Sequence, residues 1–235
     1  MMLDIMGLSS GYGRVPVLRG VDIQVGDAEC VGLLGRNGMG KTTMLRAIMG
    51  ELPAWGGKIT KSGKDLTKTP TQGRACAGIG YVPQGKQLFK LLSVRENLRM
   101  GCVKDFSGSA RQIREVLALF PRLDRLLDRQ AGMLSGGEQQ LLAIARCLCG
   151  NPDLILLDEP TEGIQPSICD EIIDVLKQLR RERGLSIILV EQDIDFLWQI
   201  CDRVLAIDKG NVAKTIEPKA PGSTAEAKKF IGIEG

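Results

Sequence analysis

The chain has 235 residues, 43% hydrophobic and 25% charged, enough for one sizeable core and a smaller appended unit. A net charge of +3, with neither strong basic patches nor interleaved aromatics, gives no argument for a nucleic-acid partner. No apolar run approaches the roughly 18–20 residues of a membrane span, and Met1-Met2-Leu3-Asp4 lacks the basic and apolar regions of a signal peptide, so a cytoplasmic protein is expected.

Short apolar runs alternate with helical ones, the pattern of an α/β fold with a largely parallel sheet. Leu3–Met6 and Val21–Val25 read as strands, with a glycine-rich turn at Gly11–Gly13 between them. Cys30–Leu34 reads as a buried strand, followed by a glycine loop and a helix from about Lys41. Gly56-Gly57 marks a turn before Lys58–Thr60, and Gly78–Val82 is a strand stopped by Pro83. From about Leu91 to Gly150 no strand pattern interrupts the helical periodicity. There Ser93 and Glu96 form a capping box, and Ile113, Val116, Leu117 and Phe120 make a stripe that ends at Pro121. The expected organisation is a core unit over 1–90 and 151–235, with a helical subdomain inserted over 91–150.

After the insertion the alternation resumes. Leu154–Leu157 is a fully apolar strand, and Ile168, Ile172, Val175, Leu176 and Leu179 form one face of a helix. Leu185–Val190 is a buried strand, and Ile194, Leu197, Trp198 and Cys201 line the next helix. Val204–Ile207 and Val212–Ile216 flank Asp208-Lys209-Gly210-Asn211 as a hairpin, and Ser223 with Glu226 is expected to cap a last helix. Aromatics make up 4% of the chain, so the core is expected to be aliphatic. The seven cysteines are odd in number and include no C-x-x-C, and no histidine exists to complete a zinc site. Reduced, mostly buried cysteines are the expectation. The missing histidine also removes any Ser-His-Asp mechanism.

Gly35-Arg36-Asn37-Gly38-Met39-Gly40-Lys41-Thr42 fits the pattern G-x-x-x-x-G-K-[ST] between an apolar strand and a helix, and Thr43 follows it. Glycines let backbone N–H groups wrap phosphates, Lys41 brings a positive charge to the β/γ oxygens, and Thr42 offers a hydroxyl to Mg²⁺. Asp158-Glu159 ends the apolar strand 154–157. Asp158 suits the Mg²⁺ shell, and Glu159 would face the γ-phosphate and polarise an attacking water. Gln84 follows a strand end, where an amide can ligate Mg²⁺, orient water or simply be solvated. Tyr12 lies between two glycines, either covering the core or offering its face to an adenine.

Leu134-Ser135-Gly136-Gly137-Glu138-Gln139-Gln140 has a plain local reading. Ser135 and Glu138 form a capping box, and Leu141, Ile144, Ala145 and Leu148 give the helix a buried stripe. Capping does not explain Gly136-Gly137, because each glycine costs a helix about 1 kcal/mol against alanine. A phosphate approaching the N–H groups of a helix start does explain bare backbone there.

In this order Tyr12, GRNGMGKTT (35–43), Gln84, LSGGEQQ (134–140) and LILLDEP (154–160) resemble the nucleotide-binding subunits of ABC transporters over nearly the whole chain. The resemblance implies a RecA-type P-loop core, an antiparallel β-subdomain and an inserted helical subdomain. It implies ATP and Mg²⁺, and a head-to-tail dimer in which Ser135 to Glu138 complete the partner's ATP site. It further implies membrane permease subunits, a second ATPase that is either another copy or a paralogue, and indirectly a periplasmic solute-binding protein. The protein would then sit at the inner face of a bacterial plasma membrane. GRNGMGKTT, YVPQG (81–85), LFPRL (119–123) and LVEQ (189–192) resemble the ATPases of branched-chain amino-acid and related amide importers, and residues 161–168 most resemble the urea branch. Two positions depart from the wider family: Gln192 stands where a γ-phosphate-contacting histidine is usual, and Gln165 where an aspartate is common. The rivals are a soluble ABC ATPase of translation or DNA repair, which usually carries two cassettes or long insertions, and a small P-loop kinase or GTPase, for which LSGGEQQ has no use.

Overall fold

A computed structural model of the chain describes residues 1–102 and 109–232. Ten strands fall into two sheets among these residues. The first is antiparallel, in the order β2 (Val15–Val25), β1 (Leu3–Tyr12), β4 (Gly56–Lys61), β5 (Lys64–Asp65). The second has the order β10 (Asn211–Ile216), β9 (Arg203–Asp208), β3 (Cys30–Leu34), β8 (Ser186–Val190), β7 (Leu154–Asp158), β6 (Ile79–Val82). From β9 to β6 its neighbours run parallel, and β10 closes the edge as an antiparallel hairpin.

The central strands β3, β8 and β7 are buried along their whole length and almost wholly apolar, because both faces of this sheet are covered. Cys30 and Leu34 of β3 and Ile155 and Leu157 of β7 pack in one core cluster; Val31, Leu33, Leu154 and Leu156 pack in the other. Helix α1 (Lys41–Met49) and the antiparallel sheet cover the second face. The first face carries α7 (Pro166–Arg183), α8 (Ile194–Ile200) and α9 (Ser223–Ile231). Helix α2 (Thr71–Cys76) precedes β6. Between β6 and β7 the described residues hold α3 (Val94–Gly101), α4 (Ser109–Leu119), α5 (Pro121–Asp124), a 3-10 turn and α6 (Gly136–Leu148). Residues 103–108 of the expected insertion and 233–235 of the expected core lie outside the described residues.

The first hairpin departs from the sequence reading, since β1 and β2 run continuously up to the tight turn at Gly13. Their register shifts between Ile5 and Leu8, Leu8 and Ser10, and Ser10 and Gly11. Each bulge resets the alternation, so the apolar pattern stops short of the strand end. Both β6 and β8 start one residue later than expected. The β9–β10 hairpin is as expected, with Lys209 (φ 46°) and Gly210 (φ 79°) at the tip, the two positive angles a tight hairpin of this twist needs. Both internal capping boxes form, at Ser93–Glu96 and Ser135–Glu138. The third does not. Gly222 is the N-cap of α9, and Ser223 Oγ instead accepts from Trp198 Nε1 at 3.1 Å and donates to Pro218 O at 2.8 Å. A longer-range indole bond has displaced the local cap. Cys30, Cys102, Cys149 and Cys201 are buried, while Cys76 is exposed.

Candidate functional site: a phosphate-binding loop at the carboxyl edge of the parallel sheet

The register explains the site. Leu33 of β3 pairs with Val190 of β8, and Val190 lies opposite Asp158 of β7, while Val82 of β6 lies opposite Leu157. The loops leaving β3, β8, β7 and β6 therefore emerge along one edge, where open α/β sheets bind ligands. They carry, in that spatial order, Gly35 to Thr42, Gln192, Asp158 with Glu159, and Gln84.

Helix α1 starts at Gly40 (φ 102°) with no side-chain cap, which leaves the N–H groups of its first turn for an anion. The loop is held from behind by the β9–β10 hairpin: Gly210 N–H donates to Met39 O at 3.0 Å. A Cβ on Gly35 would lie 2.5 Å from Ile207 O, so only glycine fits there. Lys41 is buried and its ammonium donates to Gly35 O at 2.6 Å and Arg36 O at 3.1 Å. Burial lowers its pKa, while Glu159, Asp158 and Glu191 act in the opposite sense.

Asp158 accepts from Thr42 Oγ1 at 3.1 Å and from Tyr81 Oη at 3.4 Å. Burial pushes its carboxyl up to about 6, against those two hydrogen bonds. A buried carboxylate beside a threonine hydroxyl suits a small hard cation. Among the described residues no cluster of three or more acidic or sulfur ligands exists. The donors present, the Asp158 carboxylate and the Thr42 hydroxyl, suit Mg²⁺, which takes few protein ligands and completes its shell with phosphate and water.

Glu159 has left-handed backbone (φ 48°), and its N–H donates to Val190 O at 2.9 Å. Its carboxylate is a hub. Gln192 Nε2 donates to Glu159 Oε1 at 2.8 Å and to Asn37 Oδ1 at 3.0 Å. Gln84 Nε2 donates to Glu159 Oε2 at 3.1 Å and to Glu162 Oε2 at 3.1 Å. The amide of Gln192 thus joins the phosphate loop to Glu159. A cavity of about 470 Å³ is lined by Tyr12, Val17, Asn37, Gly38, Gly40, Lys41, Thr42, Thr43, Gln84 and Glu159. That volume is in the range of small-ligand sites. Tyr12 is 42% exposed and its hydroxyl accepts from Thr43 and Arg46, so its ring is braced at the mouth of the cavity. Arg36 is turned away, donating through Nε to Ile231 O at 3.1 Å.

Ser135, Gly136, Gly137 and Glu138 do not line this cavity. Ser135 and Gly136 are exposed at the start of α6. The two glycines there have different reasons. A Cβ on Gly137 would lie 2.9 Å from Ile168 Cγ1, so packing within the chain already requires glycine and no ligand need be invoked. A Cβ on Gly136 would meet only ordinary contacts, 3.5 Å from Gly163 O and 3.6 Å from Lys86 Nζ. The argument for bare backbone facing a phosphate therefore rests on Gly136 alone.

Sequence reasoning missed Lys86, whose ammonium donates to Gly136 O at 2.9 Å, and Tyr81. It also missed Glu191, a buried acid directly after the apolar strand β8. An acid directly after an apolar run is the signal that singled out Asp158, and the run Ile187–Val190 carries it before Glu191 too.

A glycine loop feeding an uncapped helix, a buried lysine and two acids at the end of β7, one strand beyond β3's neighbour β8, define a P-loop nucleotide site. The family model for ABC transporters matches residues 18–162. A high-affinity branched-chain amino-acid transport ATP-binding protein, BraG of Pseudomonas aeruginosa, is 39% identical over 212 residues, covering 90% of this chain and 91% of that one. A lipopolysaccharide export system ATP-binding protein, LptB of Haemophilus influenzae, is 33% identical over 98% of this chain and 97% of its own. A solved ATP-binding cassette of an ABC transporter in its ADP conformation superposes with a TM-score of 0.88 at 26% identity, covering 99% and 97% of the two chains. The chain belongs to the ABC transporter ATP-binding family and has its cassette fold. It is an ATPase subunit that couples ATP hydrolysis to transport.

Proposed function

We propose that this ATPase drives an importer of branched-chain amino acids or a related small amide such as urea. BraG and the probable branched-chain amino-acid transport protein LivF of Archaeoglobus fulgidus, 34% identical over 90% of this chain and 90% of its own, support the amino-acid class. The run 161–168 supports the urea branch. The export reading has support from LptB at lower identity.

The observation that carries the catalytic reading is the convergence of Lys41, Asp158, Glu159 and Gln192 at one sheet edge. In this reading the N–H groups of Gly35 to Thr43 and the Lys41 ammonium hold the phosphates, and Tyr12 stacks on the adenine. Thr42, Gln84 and Asp158 would hold Mg²⁺, which neutralises phosphate charge when bound. Glu159 orients the attacking water and takes its proton. Gln192 donates a hydrogen bond to Glu159 and lies beside Asn37, so it steadies the base without adding charge. Ser135, Gly136 and Glu138 serve the ATP bound by a second ATPase subunit, either another copy or a paralogue.

A groove of about 600 Å³ runs along β6, the sheet's edge strand, and is lined in part by Phe89, Met100, Ala143 and Arg146. On a division into a core (1–90 and 151–235) and a helical subdomain (91–150), it would lie between the two and suits a helix from a permease subunit. A periplasmic solute-binding protein would act through that permease. This assembly puts the ATPase at the cytoplasmic face of the membrane. Among the described residues no helix is long and apolar enough to cross it.

The test is co-purification with the permease encoded alongside, followed by ATP-driven uptake in proteoliposomes. Uptake of leucine or urea is expected. Failure of both, with ATP-driven extraction of a lipid instead, would overturn the import reading.

A further inference from the structure

Glu191 is a carboxylate only 3% exposed, directly after β8 and directly before Gln192. Burying a carboxylate costs several kcal/mol unless donors surround it. Here the donors come from two loops. Thr161 gives its N–H at 2.9 Å and its hydroxyl at 2.7 Å, both to Oε1. The N–H groups of Gln192, at 3.1 Å, and Asp193, at 3.5 Å, give to Oε2. Burial still raises its pKa, with these bonds opposing the shift. An apolar residue would fill the space at lower cost, so packing alone does not account for the acid.

The two loops it joins matter. Thr161 is two residues beyond Glu159, and Gln192 is the residue that reaches back to Glu159 at 2.8 Å. Asp158 and Val190 are register partners, and the backbone pairing runs on through the N–H groups of Glu159, to Val190 O at 2.9 Å, and Glu191, to Leu33 O at 3.3 Å, after which the two loops leave adjacent strand ends. The Glu191 carboxylate ties one to the other.

We propose that Glu191 is a positioning residue for ATP hydrolysis, a buried clamp between the Thr161 loop and the Gln192 backbone that holds the Gln192 amide against Glu159. The proposal rests on Glu159 being the base, and its test separates the two ideas. Glu191→Gln keeps the shape but sets an NH₂ group against backbone N–H donors. The clamp loosens, and a displacement near 1 Å at a reacting group costs up to about 100-fold in rate.

The measurements are kcat, ATP Kd and melting temperature for Glu191→Gln, Gln192→Ala and the double variant. Glu191→Gln is expected to lower kcat by about 10- to 100-fold with ATP Kd held within about 2-fold. Because the clamp acts through Gln192, the double variant is expected to match Gln192→Ala alone, a non-additive cycle. Independent losses that multiply, or a full-rate Glu191→Gln, would overturn the proposal, as would a Gln192→Ala that loses nothing. If Glu191→Gln does not fold, Thr161→Val removes one of the four donors and keeps the backbone N–H. It is expected to slow turnover in the same direction, with the loss suppressed when Gln192 is alanine; full turnover in Thr161→Val would overturn the clamp. Wild-type turnover in Glu159→Gln would instead sink the assignment of the base, which the Glu191 cycle does not test.

Discussion

Replacing Gly136 and Gly137 one at a time separates packing from ligand contact at the start of α6. Neither glycine has a positive φ, so alanine is allowed at both backbones. Alanine in place of glycine stabilises a compatible site by about 0.4–1 kcal/mol through the unfolded chain. At position 136 the new methyl meets only ordinary contacts, so Gly136→Ala is expected to raise the melting temperature by about 1–4 °C. At position 137 the methyl would press on Ile168 Cγ1 at 2.9 Å. Overpacking of that kind costs about 1–3 kcal/mol and outweighs the gain. Gly137→Ala should therefore melt lower by several degrees. Thermal melts of the nucleotide-free protein read both shifts. ATPase rate, measured on the assembled subunits, should fall by about 10-fold in Gly136→Ala even though the protein is more stable, because in the proposed two-subunit site the methyl would stand where the other subunit's phosphate approaches. A Gly136→Ala protein that melts higher and hydrolyses ATP at the wild-type rate would refute the phosphate reading of that glycine.

Lys41→Ala should abolish ATP binding, and retained micromolar affinity in a titration would count against the phosphate loop. Tyr12→Ala should weaken ATP by roughly 1–3 kcal/mol, the worth of one stacked base, without lowering the melting temperature, since the side chain is exposed. Gln165 caps α7 with no side-chain bond, so Gln165→Asp should add about 1 kcal/mol of stability; a lower urea midpoint would contradict this. Arg74 is buried and donates to Thr67 O, Thr69 O, Ala47 O and Ile48 O, closing the end of α1. Arg74→Met should lose about 3 kcal/mol or more in urea unfolding, because four hydrogen bonds are lost and, of those carbonyls, Ala47 O keeps a backbone donor at the helix end, the Gly50 N–H.

What was legible in the chain depended on how local the physics was. The placement of Gly35 to Thr42, Asp158 and Glu159 at one sheet edge was legible because an apolar strand must end in a loop and the loop residues were chemically specific. The parallel sheet was legible for the same reason, since its strands are apolar on both faces. The ends of β1 and β2 were not, because bulges break the period that marks a strand. The cap expected at Ser223 failed when Trp198, 25 residues away, took the hydroxyl. Lys86 and Glu191 were invisible as partners because their contacts join loops 50 and 30 residues apart, a relation only the strand order supplies. The reason for Gly137 was likewise hidden in α7, where Ile168 approaches it.

Glu159 as the general base is tested most directly by single-turnover hydrolysis in Glu159→Gln, read beside ATP binding in the same preparation. The expected result is a rate lower by about 10²- to 10⁴-fold with ATP still bound. Hydrolysis at the wild-type rate would contradict it.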